Sequence, residues 1–534
     1  MECVMKRIIT AALAVAIVLG MLGGCKEKNV SEEGKMKISW LGVPYYPENE
    51  DGCYTEKLLE KKFNVEITPV YMDDEAYKTK KAISMSSGEI PDIIYELDPL
   101  NVQSDARQGF LLDVDYDKIK QSAPAVFEQI NKEVPKAWLY SYYDGKNYGV
   151  PNIYYTGNRT TLGLWRADWL KNVGIDKVPE TIDEMHEAFV RFRNNDPDGN
   201  GKQDTYGMSA DMVANHFTMT EIFGAFGALP FNWVNDGGKI VYGGLMPEIK
   251  KALEVIAKWY SEGLIDPDFI TDDTVKNIQT KFKNGSLGYI NAYGQDYLNT
   301  DESKSDSMIG VMKQINPDAE VAVAKLPVGP DGKSGVFAWG KGGHIISFGR
   351  QLKDDTKKLD KIFEMLDYMQ NNEDFSIQML IGKEGEHYKM SDSSDGGIEF
   401  IPPYDNVTYR KKYFAVGSLN STSFFNIVPP TMDARSKYEN KKSIEHDKKY
   451  IDETKARNDA FLKPDVVPES DKYFRDLKNK QIVLMTAIIR GEKSADDYDE
   501  FEKIWQTLGG KELTENANNL QTKMNDILGK VGVK

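Results

Sequence analysis

From Lys37 the chain alternates apolar and polar residues in KISWLG and then breaks at glycine and proline. That two-residue period is the signature of a strand. The next run, YTEKLLEKKFN, carries helical spacing, and VEITPVYM returns to strand-like alternation. A second helical run, YKTKKAISMSSG, stops at Gly88 and hands over to IPDIIYEL, a short apolar stretch that reads as a strand. Strand and helix taking turns predict an α/β fold whose mixed, mostly parallel sheet is flanked by helices. Sheets of this kind bind ligands beyond the carboxyl ends of their strands, where Trp40 and Tyr95 stand.

The alternation breaks at YGVPNIYYTGNRTTLGLWRADWL, which runs through Pro151 and several aromatic residues before LGLWR. This segment is expected to be the first crossing between two lobes. Beyond it, VPETIDEMHEAFVRFRNN predicts a helix whose cap is Thr181, with Glu184 three residues on. MPEIKKALEVIAKWYSEG predicts another, closed by Gly263. FKNGSLGYINAY is a turn and a strand, and AEVAVAKLPVGPDGKSG is a strand leaving through Pro327, expected to be the return crossing. The C-terminal part is predominantly helical, with LKNKQIVLMTAIIRG and DDYDEFEKIWQTLGG as its strongest segments.

A chain of 534 residues predicts more than one domain. Lys and Arg number 67 against 83 Asp and Glu, a formal net charge of -16. An acidic surface argues against nucleic acid as a partner and against a polybasic membrane patch. The N-terminus places Lys6 and Arg7 before an uncharged apolar run from Ile8 to Leu22. That run is short for a permanent span and has the build of a secretory signal, expected to occupy residues 1–24. The polar stretch KEKNVSEEGK, within residues 25–35, suits a tether to a folded body. Without Cys3, which lies in the signal, only Cys25 and Cys53 remain, and the core is expected to hold without disulfides.

Leu22-Gly23-Gly24-Cys25 resembles the lipobox of bacterial lipoproteins, which implies cleavage before Cys25 and a lipid on its thiol. The order SGEIPDIIY, YGVPNIYY, LWRADWLKNVGIDKVPETIDE, NNDPDGNGKQDTYGM, WYSEGLIDPDF, FKNGSLGYI, IGKEGEHYKM and IIRGEKSADDYDEFEKIWQTLGG resembles the extracellular sugar-binding lipoproteins of ATP-binding-cassette importers. The resemblance implies a two-lobe, periplasmic-binding-protein-like fold of type II with hinge-linked α/β lobes. The lobes are expected at 36–150 plus 328–375 and at 151–327 plus 376–534. It further implies a monomer, anchored through Cys25 on the outer face of the cell membrane. Such a protein captures a solute, mostly an oligosaccharide, and passes it to permease subunits without chemistry. The alternatives are the same scaffold binding a peptide or another solute, and a surface enzyme that degrades polysaccharide.

Sugars present flat apolar faces and many hydroxyls, so a cleft for them needs aromatic platforms and a few carboxylates or amides. By position, the expected cleft residues are Trp40, Tyr45, Tyr95, Tyr154, His216, Trp233, Tyr293, Trp339 and Phe424, with Asp98 and Asp211 as polar anchors. Tyr95, Tyr154 and Tyr293 occupy places where, by the resemblance, maltose-type binding proteins contact sugar. Trp165, Trp169 and Trp259 are expected in the core.

NNDPDGNGKQDTYG sets Asp196, Asp198 and Asn200 at positions 1, 3 and 5 of a calcium-loop pattern, Lys202 at 7 through its carbonyl and Asp204 at 9. Position 12 is Gly207, where a helix-loop-helix site carries a glutamate, so the pattern is incomplete. Related binding proteins carry a similar loop with a structural Ca2+, often with an acidic residue where Thr205 stands. A structural Ca2+ is therefore expected here, and no catalytic cofactor. Motifs of enzymes fall short: GPDGKS at 329–334 has two residues between its glycines where a phosphate loop has four, and the five histidines form no metal-spaced pair.

Overall fold

The structure, a computed structural model, describes residues 34–42, 52–70, 74–158, 161–210, 219–271, 275–293, 308–414, 427–441, 444–445 and 456–533. The expected signal, Cys25 and all but the last two residues of the expected tether lie outside these residues, as do Tyr45, Asp211, His216 and Phe424.

The alternating opening of the chain forms the elements its pattern predicts. Met36–Leu41 is a strand, Tyr54–Phe63 a helix, and Val65–Pro69 a second strand parallel to the first. The helix ends where Asn64 takes a left-handed conformation (φ 53) and its amide reaches the Glu60 carbonyl. Glu60 then uses its side chain to accept the Ile67 amide at 2.8 Å, tying the helix to the strand that follows it. The helix Asp74–Ser86 and the strand Ile93–Glu96 complete the unit.

These strands belong to a five-stranded sheet ordered Val65–Pro69, Met36–Leu41, Ile93–Glu96, Gly342–Phe348, Val150–Ile153. Its first two pairings are parallel, and the strand Gly342–Phe348 runs antiparallel to both neighbours. That strand comes nearly 200 residues after Ile153 and fills the space between two strands from the first part of the chain. Helix Thr356–Asn371 follows it and packs on the same sheet, Phe348 meeting Phe363 edge-on at 5.1 Å. Lys81 of helix Asp74–Ser86 is buried against Glu96 at 2.5 Å and against Asp105 at 2.7 Å, which ties the helices before and after Ile93–Glu96 to that strand.

A second sheet of three strands, Tyr289–Tyr293, Thr161–Arg166 and Val321–Ala324, is antiparallel throughout, unlike the mostly parallel arrangement expected for each lobe. The reason is connectivity: its outer strands arrive through separate long excursions and not through helical crossovers of one hand. Leu162 and Leu164 face one core with Phe282 and Ile290, while Trp165 turns to the other side and stacks on Phe189 at 5.6 Å. Helix Ile182–Asn194 begins with the capping box read from the sequence: Thr181 accepts the Glu184 amide at 3.2 Å, and Glu184 accepts the Thr181 amide at 3.0 Å. Trp165, Trp169 and Trp259 are all fully buried.

The C-terminal helices Ser470–Ile489, Glu500–Thr507 and Gly510–Lys530 build a third packed region around Trp505, on which Tyr242 stacks at 4.2 Å. This region also touches the first part of the chain. Gln103 donates to the carbonyls of Asp465, Val466 and Val467, and Asn131 donates to that of Val531. Among the described residues no helix is long and apolar enough to cross a membrane.

Candidate ligand-binding cleft

Distant segments of the chain converge on a cavity of about 130 Å³. Asp98 stands where the strand Ile93–Glu96 hands over to helix Pro99–Arg107, at the carboxyl edge where α/β sheets place their ligands. Phe337 and Trp339 come from the strand Val336–Ala338 and the residue after it, their rings edge-to-face at 5.4 Å. Lys463 and Asp465 come from the turn before the C-terminal helices and Lys478 from helix Ser470–Ile489, while Phe231 closes another side.

The wall behind Asp98 is fixed by a polar chain. Tyr95 accepts a hydrogen bond from the Asn152 amide at 2.8 Å, and Asn152 in turn accepts the His344 amide at 2.8 Å. The His344 Nδ1 lies 2.7 Å from the Leu97 carbonyl, which also receives Lys463 Nζ at 3.3 Å. Burial, reinforced by the charge of Lys463, pushes the His344 imidazole down to about 4, so it is neutral near pH 7 and donates to that carbonyl. Leu97 and Asp98 are thereby held from two directions.

The opposite wall is fixed from beneath. The Trp233 amide donates to Asp459 at 2.6 Å, and Asp459 also accepts the Phe461 amide at 2.8 Å. The Trp233 indole N–H reaches the Pro464 carbonyl at 3.1 Å. The turn that carries Lys463, Pro464 and Asp465 is thus pinned at both ends. Burial pushes the Asp459 carboxyl up to about 7.

Of the expected cleft residues, Asp98 and Trp339 line the cavity. Tyr154 is 40% exposed on the crossing segment, apart from the cavity lining. Tyr293 ends a strand of the small sheet, and its side chain lies outside the described set. Trp40, Tyr95 and Trp233 correct the expectation: all three rings are fully buried. Trp40 pairs in register with Pro69 and Ile93 within the sheet, which helices cover. Tyr95 tilts onto His344 and supports the cavity wall from behind, and Trp233 packs edge-on against the stacked rings of Tyr242 and Trp505. A strand's end lies deep when the following helix folds back over it, so position along the chain gave the right edge and the wrong depth.

Sequence reading missed Phe231, Phe337, Lys463, Asp465 and Lys478. Phe231 sits two residues from the tryptophan that was singled out, in a segment that turns at 230–232 and sends the two rings in different directions. Nothing in the local sequence marks the lysines, because a lysine beside a proline or within a helix ordinarily reads as surface.

The acidic loop folds on itself. Asp196 takes a positive φ of 46, and its carboxylate accepts the amides of Asn200 and Gly201. The Asn200 side-chain amide donates to Asp198 at 2.8 Å and to Asp204 at 3.2 Å. Burial, with the charges of Asp204 and Asp196 adding to it, raises the Asp198 carboxyl. Among the described residues no group of three or more His, Cys, Asp or Glu stands ready to hold a metal. The GPDGKS segment is a tight turn, Gly329 donating to the Lys333 carbonyl, and His387 is buried among Tyr54, Tyr404 and Phe414.

Residues 46–374 match the family of bacterial extracellular solute-binding proteins, and the chain belongs to that family. It is 28% identical over 521 residues to lipoprotein LipO of Bacillus subtilis, covering 95% of this chain and 97% of that protein. It is 27% identical over 399 residues to the polygalacturonan/rhamnogalacturonan-binding protein YtcQ of the same organism, covering 72% of this chain and 74% of that protein. Among solved structures it resembles an EF-hand mutant of the Streptococcus pneumoniae substrate-binding protein FusA in complex with fructo-nystose, with a TM-score of 0.64 at 16% identity, covering 92% of this chain and 99% of that one. The fold is the two-lobe fold of solute-binding proteins.

Proposed function

We propose that this protein captures an extracellular carbohydrate, an oligosaccharide, in the cleft around Asp98 and Trp339 and delivers it to a membrane permease. The observation that carries this reading is the make-up of the cavity: the rings of Trp339, Phe337 and Phe231 beside the carboxylates of Asp98 and Asp465. Rings offer platforms to the apolar faces of sugars, and carboxylates accept from their hydroxyls. Relatives named for polygalacturonan, rhamnogalacturonan and fructooligosaccharide support the same class of solute. At about 130 Å³ the cavity is smaller than the roughly 300–1,000 Å³ of a typical small-molecule site, which suits one end of a glycan.

The lobes divide where the chain leaves the strand Val150–Ile153 and again near 327/328, and closure about these crossings encloses the solute. No step of this function requires chemistry, so the protein is a carrier and not an enzyme, and it acts as a monomer. Cys25 bears the lipid that keeps it beside its permease on the outer face of the membrane, in line with the lipoprotein name of LipO. The loop at 196–204 holds a structural Ca2+ through Asp196, Asp198, Asn200, Asp204 and the Lys202 carbonyl. What supports this is the oxygen chemistry of the loop and the convergence of the Asp198 and Asp204 side chains on one point, now taken by the Asn200 amide nitrogen. Turning that amide would present its oxygen at the expense of the bond it now accepts from the Lys202 amide at 2.7 Å.

A thermal-shift screen of the mature protein against a glycan panel and a peptide panel tests the function. Glycans are expected to raise the melting temperature. Stabilisation by peptides alone would overturn the reading, as would cleavage of a glycan during incubation.

A further inference from the structure

Among the described residues, two lysines of the cavity have no carboxylate in direct ion-pair contact. The Lys463 ammonium is almost fully buried, with the Leu97 carbonyl at 3.3 Å and the rings of Tyr140 and Trp339 at 5.1 and 5.9 Å from its nitrogen. The Lys478 ammonium has the rings of Phe231 and Phe474 at 5.6 and 5.5 Å. Neither has a carboxylate within ion-pair distance among the described residues, although Asp98 and Asp465 line the same cavity. The contrast within the molecule is sharp. Lys81, as buried as Lys463, is closed off by two carboxylates at 2.5 and 2.7 Å.

A desolvated ammonium with no carboxylate in direct contact is a standing cost to the fold, because ring and carbonyl contacts and the more distant charges of Asp98 and Asp465 do not fully offset the lost hydration. Burial accordingly pushes both the Lys463 and the Lys478 ammonium below the ordinary lysine range, with Asp98 and Asp465 only opposing the trend. A neutral sugar would leave that cost in place. An anionic group entering the cavity would remove it, and the gain would appear as affinity.

Resting on the carbohydrate reading above, we propose that this cavity recognises the carboxylate of an acidic sugar residue, with Lys463 and Lys478 supplying the positive charge and Asp98 and Asp465 accepting from neighbouring hydroxyls. The rings around the two ammoniums exclude water, which strengthens the attraction and makes it less sensitive to salt than a surface contact. The Leu97 carbonyl, held also by His344, keeps the Lys463 nitrogen from swinging away when the cavity is empty.

Calorimetry of the whole mature protein at pH 7 would compare short oligomers of galacturonic, mannuronic and glucuronic acid with the methyl ester of each. At least one acid is expected to bind tenfold or more tightly than its own ester. Lys463→Met and Lys478→Met are each expected to weaken that acid at least tenfold and its ester little, while Lys→Arg at the same positions keeps most of the preference. Both Met variants are expected to fold with melting temperatures at or above wild type, since each removes a desolvated charge. Four results would overturn the proposal: esters or neutral oligosaccharides binding as well as every acid, no acid binding at all, a sulfated glycan preferred to every uronate, or folded Met variants that bind the acid unchanged. Tight binding of a neutral oligosaccharide would end this inference alone, whereas binding confined to peptides would end the carbohydrate reading with it.

Discussion

Glu221 offers a clean test of the electrostatics next to the cleft. It lies in helix Thr220–Ala225, whose first residue lines the cavity, and it is fully buried. One carboxylate oxygen accepts the Asn291 amide of the small sheet at 2.7 Å. Burial pushes this carboxyl from 4.5 up to about 7. The displacement of roughly 2.5 pH units corresponds to about 3 kcal/mol of preference for the protonated form in the folded chain. Because the folded state holds the proton more tightly than the unfolded state, this group takes stability away as pH rises from about 4.5 to about 7, and the full cost applies above that. Glu221→Gln keeps the shape and the oxygen for Asn291 but cannot ionise. The variant is expected to match wild type near pH 4 and to exceed it by about 3 kcal/mol at pH 8. Urea unfolding of both proteins at pH 4, 6 and 8 measures the difference, and all other titrations cancel in it. A gap that stays constant with pH, or a wild type more stable at pH 8, would refute the reasoning.

Three further outcomes are expected. Trp339→Ala removes the ring that lines the cavity beside Phe337, and calorimetry with a bound oligosaccharide should show roughly tenfold weaker affinity at little change in melting temperature. In Gly224→Ala the new methyl would sit 1.6 Å from the Gly335 carbonyl oxygen, so helix Thr220–Ala225 must move off the segment leading to Trp339; a loss of about 1–3 kcal/mol in stability and weaker ligand binding are expected together, and an unaltered variant would deny that close approach. Millimolar Ca2+ should raise the melting temperature of the wild type and not of Asp198→Asn, and an identical response in both would remove the loop at 196–204 as the binding site.

Local pattern carried much of the fold. The run from Met36 to Glu96 alternates so regularly that its strands and helices could be placed from spacing and from stops at Asn64 and Gly88. The Thr181 cap and the closure of helix Glu248–Ser261 at Gly263, whose φ is 71, follow from side-chain and backbone chemistry within a few residues. What local pattern could not supply is partnership over distance. GGHIISF reads as a strand only once Ile94 and Val150 are seen on either side of it. The cleft was legible to the same degree. Asp98, after a short apolar strand, and Trp339, after the return crossing, do line the cavity, whereas Trp40 and Tyr95 lie buried because depth under a covering helix is a tertiary property. Lys463 and Lys478 were invisible because their burial depends on rings more than 100 residues away, such as Tyr140 and Phe231.

The strand Gly342–Phe348, threaded between Ile93–Glu96 and Val150–Ile153, also sets a timetable for the molecule's birth. Until it emerges, the edge formed by Val150–Ile153 has no mate, and the main sheet remains two unjoined pieces. At synthesis rates of about 5–20 residues per second, that leaves roughly 10–40 s in which the first third of the chain is made but unable to settle. A polypeptide whose early segments must wait for late ones stays pliable through that interval, the state in which a chain can still be threaded through a narrow passage before it locks.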